Sequence, residues 1–250
     1  NMKVVLADSK YFKDMIAICS ELVSEVTFKA SKDGLELVAM DPANVAMVQL
    51  KILASSFVEY NVKDDGEQFS ISLSSLKQIL RRGKAEDVLT LETSEENQLK
   101  ILLKSKTSRS FSIALLDLDE RDQKVPDLQF PVKIEMPASE LSGAVEDVSV
   151  VAESVTFLAD ANQLLVKAKG DLSQALIEIK AADDIKIAVD GEDKHKAKYS
   201  LEYLKKMISG SKLADKVSLQ FNTDYPLKIQ YTVLDKLSMS FILAPRVDND

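Results

Sequence analysis

Residues that usually build active sites and disulfide frameworks are nearly missing from this sequence. It holds one cysteine, Cys19, and one histidine, His195. A lone cysteine cannot close an internal disulfide, which fits a reducing compartment. Its neighbours Met15, Ile16, Leu22 and Val23 mark Cys19 as a small buried hydrophobe. Any Ser/His/Asp or Cys/His arrangement would have to use His195, which stands between Lys194 and Lys196 and reads as a solvent-exposed turn or strand end. No G-x-S-x-G elbow surrounds a serine, and histidine and cysteine are too few for a metal site. Seven scattered glycines form neither a Walker loop nor G-x-G-x-x-G. Long apolar runs are also lacking. No window nears the roughly 18 uninterrupted apolar residues of a membrane span, and no signal-peptide pattern is read near the start.

Carboxylates, in contrast, are plentiful. Asp117, Asp119, Glu120 and Asp122 have the chemistry to gather Mg²⁺, but the polar stretch around them is a poor frame for the rigid placement such chemistry needs. An acidic solvated loop is the expectation there, and no enzyme activity or cofactor is expected of the chain. Basic residues number 32 against 40 acidic ones, a formal net charge of -8. That balance argues against a protein coated all over in nucleic acid. It leaves room for one that meets nucleic acid on a single face, because the field depends on where charges lie.

An internal echo organises the 250 residues. VTFKASKDGLELVA, from residue 26, resembles VTFLADANQLLVKA, from residue 155. SLSSLKQIL (72–80) resembles SLEYLKKMI (200–208), AEDVLTL (85–91) resembles ADKVSLQ (214–220), and LKI recurs at 99 and 227. The offset is 129 residues for Val26 and Val155, and 128 for Leu76 and Leu204. One spacing held over four separated segments implies duplication, and it is too long for a stacked solenoid repeat. The expected domains are 1–116 and 132–250. Between them, 117–131 has two prolines and little periodicity, and reads as an extended linker.

Each half reads as an amphipathic helix, alternating strands, a second short helix and more strands. Phe12, Met15, Ile16 and Cys19 fall at helical spacing, as do Leu141, Ala144, Val145 and Val148 after Pro137. The second helices are expected over 73–82 and 201–209, ended by Gly83 and Gly210 as C-caps. Hairpins turn at Lys32-Asp33-Gly34 and Ala161-Asn162, and strands are expected at 88–93, 98–104, 109–115, 216–221, 227–233 and 237–243. Few helices against many antiparallel strands, given twice, make an α+β fold with helices covering one face of each sheet.

Charge sorts by helix face. In LKQILRRGKAED, Leu76, Ile79 and Leu80 form the inward stripe, while Lys77 and Arg81 share the opposite face beside Arg82, with Lys84 following. Lys205 and Lys206 repeat the arrangement, with Lys212 in the next turn, and Lys10 and Lys13 lie three apart on the first helix. The remaining helix carries Glu140, Glu146 and Asp147 and no base. Two readings stand for the basic faces: capping of the last carbonyls and the helix dipole, or a sequence-independent surface for phosphates.

LVAMDPANVAMVQL (37–50), LKQILRRGKAEDVLTL (76–91), DYPLKI (224–229) and ILAPRV (242–247) complete the pattern. With these segments in this order, the chain resembles the DNA polymerase sliding clamps of the proliferating cell nuclear antigen family, and most of all its archaeal members. The resemblance implies three two-domain subunits closed head to tail into a ring, with helices lining the hole and sheets forming the outer layer. It implies a clamp set on double-stranded DNA by a clamp loader, in the cytoplasm on chromosomal DNA, or in the nucleus if the source is eukaryotic. There it would tether DNA polymerase, flap endonuclease and DNA ligase through clamp-binding peptides. Lys10, Lys13, Lys77, Arg81, Arg82, Lys84, Lys205, Lys206 and Lys212 would face DNA.

Carried over in the same way, the edge with Arg109, Ser110, Phe111 and Ile113 would pair with the edge holding Ala175, Ile177, Ile179 and Lys180 of the next subunit. The partner-peptide pocket would comprise Met40, Asn44, Val45, Val125, Pro126, Pro226, Leu227, Ile242 and Ala244. Some members of the family carry a histidine in place of Asn44 and a tyrosine in place of Ile242, so a different subset of partners is expected. Homotrimer and heterotrimer both remain open, as do a damage-signalling clamp and a scaffold that forms no ring.

Overall fold

Alternation of apolar and polar residues dominates the chain, and the computed structural model, which describes residues 1–118 and 123–247, turns it into strands with inward and outward faces. The chain divides into two compact units. The first comprises Asn1–Pro42, Val48–Val125 and Val233–Met239; the second comprises Ala43–Met47, Pro126–Thr232 and Ser240–Asp250.

In the first half of the sequence the elements run β1 (Lys3–Leu6), α1 (Lys10–Ser20), β2 (Glu25–Ser31), β3 (Gly34–Met40), β4 (Ala46–Leu53), β5 (Glu59–Asn61), β6 (Glu67–Ser72), α2 (Leu73–Arg81), β7 (Val88–Ser94), β8 (Gln98–Lys104) and β9 (Ser108–Ala114). The second half repeats that order: β10 (Val132–Pro137), α3 (Ala138–Ser149), β11 (Ser154–Ala159), β12 (Gln163–Lys169), β13 (Gln174–Lys180), β14 (Lys186–Val189), β15 (His195–Ser200), α4 (Leu201–Met207), β16 (Lys216–Phe221), β17 (Leu227–Val233) and β18 (Leu237–Leu243). The duplicated α+β plan is therefore carried by every helix and strand in turn.

Sheet order is β5-β1-β7-β8-β9 and β4-β3-β2-β6 in the first unit. In the second it is β13-β12-β11-β15 and β14-β10-β16-β17-β18. All the registered pairs are antiparallel, as short hairpin connections allow. Helices pair and pack on the strands: α1 lies on α2, which touches β6 and β9, while α3 lies on α4 and touches β10 and β12. Aromatic contacts mark the same place in both cores. Phe28 stacks on Phe69 at 5.3 Å, and Phe157 meets Tyr199 at 5.6 Å and Phe221 at 6.0 Å.

Three local expectations need correction. Gly83 follows α2 without a positive φ, its N–H bonding the Leu80 carbonyl at 3.0 Å, so the helix closes with a tightened turn and no left-handed cap. Gly210 is no cap either. It lies buried in a 3-10 turn, Ile208–Lys212, where an added Cβ would stand 2.2 Å from the Tyr231 ring. That ring, and not the backbone, requires glycine. His195 begins β15 as a strand end, but it is only 4% exposed, because alternation sends Lys194 and Lys196 outward and His195 in. Its Nδ1 lies 3.1 Å from Asn222 Oδ1. Cys19 is fully buried as expected, and burial pushes its thiol far up.

Candidate functional site

Short amphipathic helices display the basic residues. Ser72 starts α2 by accepting the Ser75 N–H at 3.4 Å, and Leu73, Leu76 and Leu80 are buried. Their burial leaves Lys77 half-exposed and Arg81 and Arg82 exposed, with Lys84 exposed beyond them. On α1, Phe12, Met15, Ile16 and Cys19 face the core, while Lys10 is exposed and Lys13 half-buried. On α4, Lys205 is exposed and Lys206 lies 5.8 Å above the Tyr203 ring; Lys212 is exposed in the 3-10 turn that follows. None of these nine side chains forms an ion pair with another described residue. Their charges are thus open to an external anion. Helix α3 shows Glu140, Glu146 and Asp147 instead.

Sheet ends supply a second feature. An uncovered strand edge offers unpaired N–H and C=O groups, and proteins normally shorten or cover it. β5 and β14 are short, with three and four residues. β6 is covered where Leu116 N–H bonds the Ser70 carbonyl at 2.8 Å, and β15 where Arg246 N–H bonds the Lys198 carbonyl at 2.7 Å. The outer side of β4 meets Lys236 through the Leu53 N–H at 2.8 Å, and that of β18 is followed by Ala244 N–H to the Val45 carbonyl at 2.9 Å. Among the described residues, β9 and β13 remain as long open edges of seven residues each.

Their burial alternates identically. Arg109 and Phe111 are half-buried and Ile113 is buried, as Ala175 and Ile177 are half-buried and Ile179 is buried; Ser110 and Lys180 point outward. A cleft of about 410 Å³ beside β9 is lined by Phe111, Ile113, Ser75, Gln78, Ile79 and Arg82. Arg109 differs from its neighbours, because its guanidinium turns back to the Asp87 carboxylate and the Arg82 carbonyl of its own chain.

The residues expected at the peptide pocket divide between the units. Met40 and Val125 belong to the first; Asn44, Val45, Pro126, Pro226, Leu227, Ile242 and Ala244 belong to the second. Within the second, the bond from Ala244 to Val45 holds two of them together. Asn44 is exposed in left-handed backbone, φ 59°, a conformation asparagine tolerates. Val45, Pro226, Ile242 and Ala244 are half-buried and Pro126 is exposed. Leu227 is different. It is 0% exposed, so its side chain belongs to the core and offers no surface. In the first unit Met40 is half-buried and Val125 is 39% exposed.

Sequence reasoning missed Tyr225 and Phe130, which anchor the linker's last residues. Gln129 N–H donates to the Tyr225 hydroxyl at 3.2 Å, and the two rings meet edge to face at 5.9 Å. Tyr199 then fixes Tyr225 by donating to its carbonyl at 2.6 Å. An aromatic inside a polar stretch was the available signal. Of the acidic linker residues, Asp117 is exposed, whereas Asp119, Glu120 and Asp122 lie outside the described residues.

Comparison with known proteins gives the same layout over nearly the whole chain. Residues 2–124 match the family model of the proliferating cell nuclear antigen N-terminal domain, and 124–246 match that of the C-terminal domain. The chain is 34% identical over 249 residues to a DNA polymerase sliding clamp of Nanoarchaeum equitans, covering 99% of this chain and 100% of the relative. It is 33% identical to that of Pyrococcus furiosus over 246 residues, 98% of each. A crystal structure of proliferating cell nuclear antigen from Thermococcus kodakaraensis superposes with a TM-score of 0.91 at 28% identity, covering 98% of this chain and 100% of that one. With duplicated halves, open edges and both domain models in register, the chain belongs to the proliferating cell nuclear antigen family.

Proposed function

We propose that this chain is a DNA sliding clamp, a processivity factor that does no chemistry of its own. Three copies, or three related chains, close into a ring around duplex DNA. The observation that carries the ring is the pair of open edges, β9 and β13, matched in length and burial and set on different sheets. Pairing β9 of one copy with β13 of the next is a heterologous contact, which closes when its rotation allows. It satisfies the exposed backbone groups and covers Phe111 and Ile177.

Lys10, Lys13, Lys77, Arg81, Arg82, Lys84, Lys205, Lys206 and Lys212 face the enclosed DNA. Flexible, unpaired cations attract phosphates without fixing a register, so the duplex is held and still translates. Polymerase is tethered and other enzymes, flap endonuclease and ligase among them, dock through peptides at Val45, Ile242, Ala244, Pro226 and the linker end at Pro126. A clamp loader opens the ring, and the protein works on chromosomal DNA in the cytoplasm. The halves on either side of the 117–131 linker, 1–116 and 132–250, act as the two clamp domains.

The test is topological. After loading, the protein should persist on a closed circle and run off when one cut gives free ends. Equal persistence on both forms would defeat encirclement. A ring of unlike subunits is favoured by one observation, the acidic surface of α3, where Glu140, Glu146 and Asp147 are exposed. Native mass of this chain alone and mixed with related clamp chains from its source separates the two assemblies.

A further inference from the structure

The outward face of the four-stranded sheet in the second unit is basic, although the chain is acidic overall. Strand alternation sends Thr156 and Leu158 of β11, Leu165, Lys167 and Lys169 of β12, Leu176 of β13 and Lys196 of β15 to that side. The register sets Leu158 opposite Leu165 and Lys196, and Lys167 opposite Thr156 and Leu176. A cleft of about 460 Å³ is lined by Thr156, Leu158, Lys167, Lys169, Leu176 and Lys196. Leu176 is 53% exposed. Lys167, Lys169, Lys180 and Lys196 are exposed and form no ion pair with another described residue. Glu178 is the one acid that alternation places on this face. Leu158 and Leu176 thus each face a lysine, whereas Leu165 lies between Leu158 and Glu178.

The first unit shows what such a face takes. Beyond β9 the chain runs as an extended segment against β6, with Leu116 N–H on the Ser70 carbonyl at 2.8 Å. Leu115, Leu116 and Leu118 line a cleft of about 310 Å³ with Thr27, Val38 and Phe69. Leu116 and Leu118 are half-buried while Asp117 between them stays exposed. Around that cleft charge is balanced within the sheet, Lys51 pairing Glu36 at 3.2 Å. In the second unit the corresponding bond forms, from Arg246 N–H to the Lys198 carbonyl.

We propose that this face of β11-β12-β13-β15 docks an extended, acidic, leucine-bearing segment of a partner protein. Leucines of the segment seat among Leu158, Leu165 and Leu176, and its carboxylates meet Lys167, Lys169 and Lys196. Nucleic acid fits less well, since the face has no aromatic ring on which a base could stack. The face shares no residue with the peptide pocket at Val45 and Ala244, and the proposal stands whether or not the chain encircles DNA.

The test is a titration of the full chain, with leucine methyls labelled, by a synthetic peptide of sequence LLDLDERDQ. Controls are the same peptide with every acid replaced by its amide, and an oligothymidylate strand of about 12 nucleotides, within the footprint of a single-strand-binding module. The acidic peptide should shift the methyls of Leu158, Leu165 and Leu176. Its affinity should fall about tenfold or more in K167E/K196E and for the amide peptide, because both remove the charge complementarity. Circular dichroism checks the fold of the variant, and K167A/K196A gives a milder second variant with the same expected direction. No shift of these methyls up to about 1 mM peptide, a very weak affinity, overturns the proposal. So does equal binding of the amide peptide, and so do larger shifts of the same methyls with oligothymidylate.

Discussion

Arg109 on the open strand β9 donates to the carboxylate of Asp87, and its other terminal nitrogen donates to the Arg82 carbonyl at 2.8 Å. Asp87 is enclosed, and its carboxylate also accepts the Lys84 N–H at 2.7 Å. That backbone donor is the first cause holding its carboxyl below the usual range, with Ser105 and Arg109 adding and burial opposing. The pair fastens the end of α2 to the edge strand. A carboxyl lowered on folding contributes stability that is present above its unfolded pKa, about 3.9, and is lost as pH falls through the folded value. Asp87→Asn should therefore lower the urea midpoint at pH 7, and the gap to the parent should close as pH is taken below about 4. An equal gap at both ends of the range would remove the charge from the account.

Phe111 and Ile177 sit half-buried on the two open edges, so each gains cover only from another chain. Phe111→Arg, or Ile177→Asp, should reduce the assembled particle to single chains in light scattering. Unfolding of the isolated chain should change by less than about 1 kcal/mol, since neither site is core. A trimer mass retained in both variants would relocate the interface.

Lys77 and Arg81 share one side of α2 and pair with no described carboxylate. Reversing both to Glu should leave the fold intact and weaken residence on DNA. The slope of log K against log salt should flatten by about 0.9 for each phosphate that is no longer neutralised. An unchanged slope would assign these residues to the helix dipole alone.

How much of this was legible depends on the range of the deciding contact. Hairpins show themselves in period-two alternation with turn residues between, and β8, β16, β17 and β18 have the bounds that pattern gives. β4 begins Ala46-Met47-Val48 with all three buried, so its start has no alternation to read. α4 stops at Met207 instead of running to residue 209, and a 3-10 turn follows in which Tyr231 packs on Gly210. A contact across 21 residues of sequence leaves no local mark. Arg109 reads from sequence as an edge residue and nothing more. Its partner Asp87 lies 22 positions away, beyond any helical or strand period. The basic helix faces, by contrast, follow from spacing within a single turn.

Ile242 is half-buried, and the next residue but one, Ala244, bonds Val45. If client peptides seat here, Ile242→Asp should weaken a clamp-binding peptide about tenfold or more in calorimetry, as loss of an apolar anchor does. Ring mass should be unaltered. A peptide affinity equal to the parent's would move the pocket elsewhere.

Tyr199 and Tyr231 are both 0% exposed, yet their hydroxyls stand in opposite situations. Tyr199 donates to the Tyr225 carbonyl at 2.6 Å, whereas the Tyr231 hydroxyl is enclosed with no partner among the described residues. Burial raises both phenols far above their ordinary range, so each stays neutral at working pH. Tyr199→Phe removes a made bond and strands the Tyr225 carbonyl, which should destabilise by about 1 kcal/mol. Tyr231→Phe removes only an unsatisfied polar atom, and should be neutral or stabilising by about 1 kcal/mol. The readout is the urea midpoint of each variant at fixed protein concentration, because assembly also shifts apparent stability. Loss of stability in both would mean that the Tyr231 hydroxyl has a bound partner. Loss in neither would mean that Tyr199 contributes by packing alone, and that the linker end is held by the Phe130–Tyr225 ring contact.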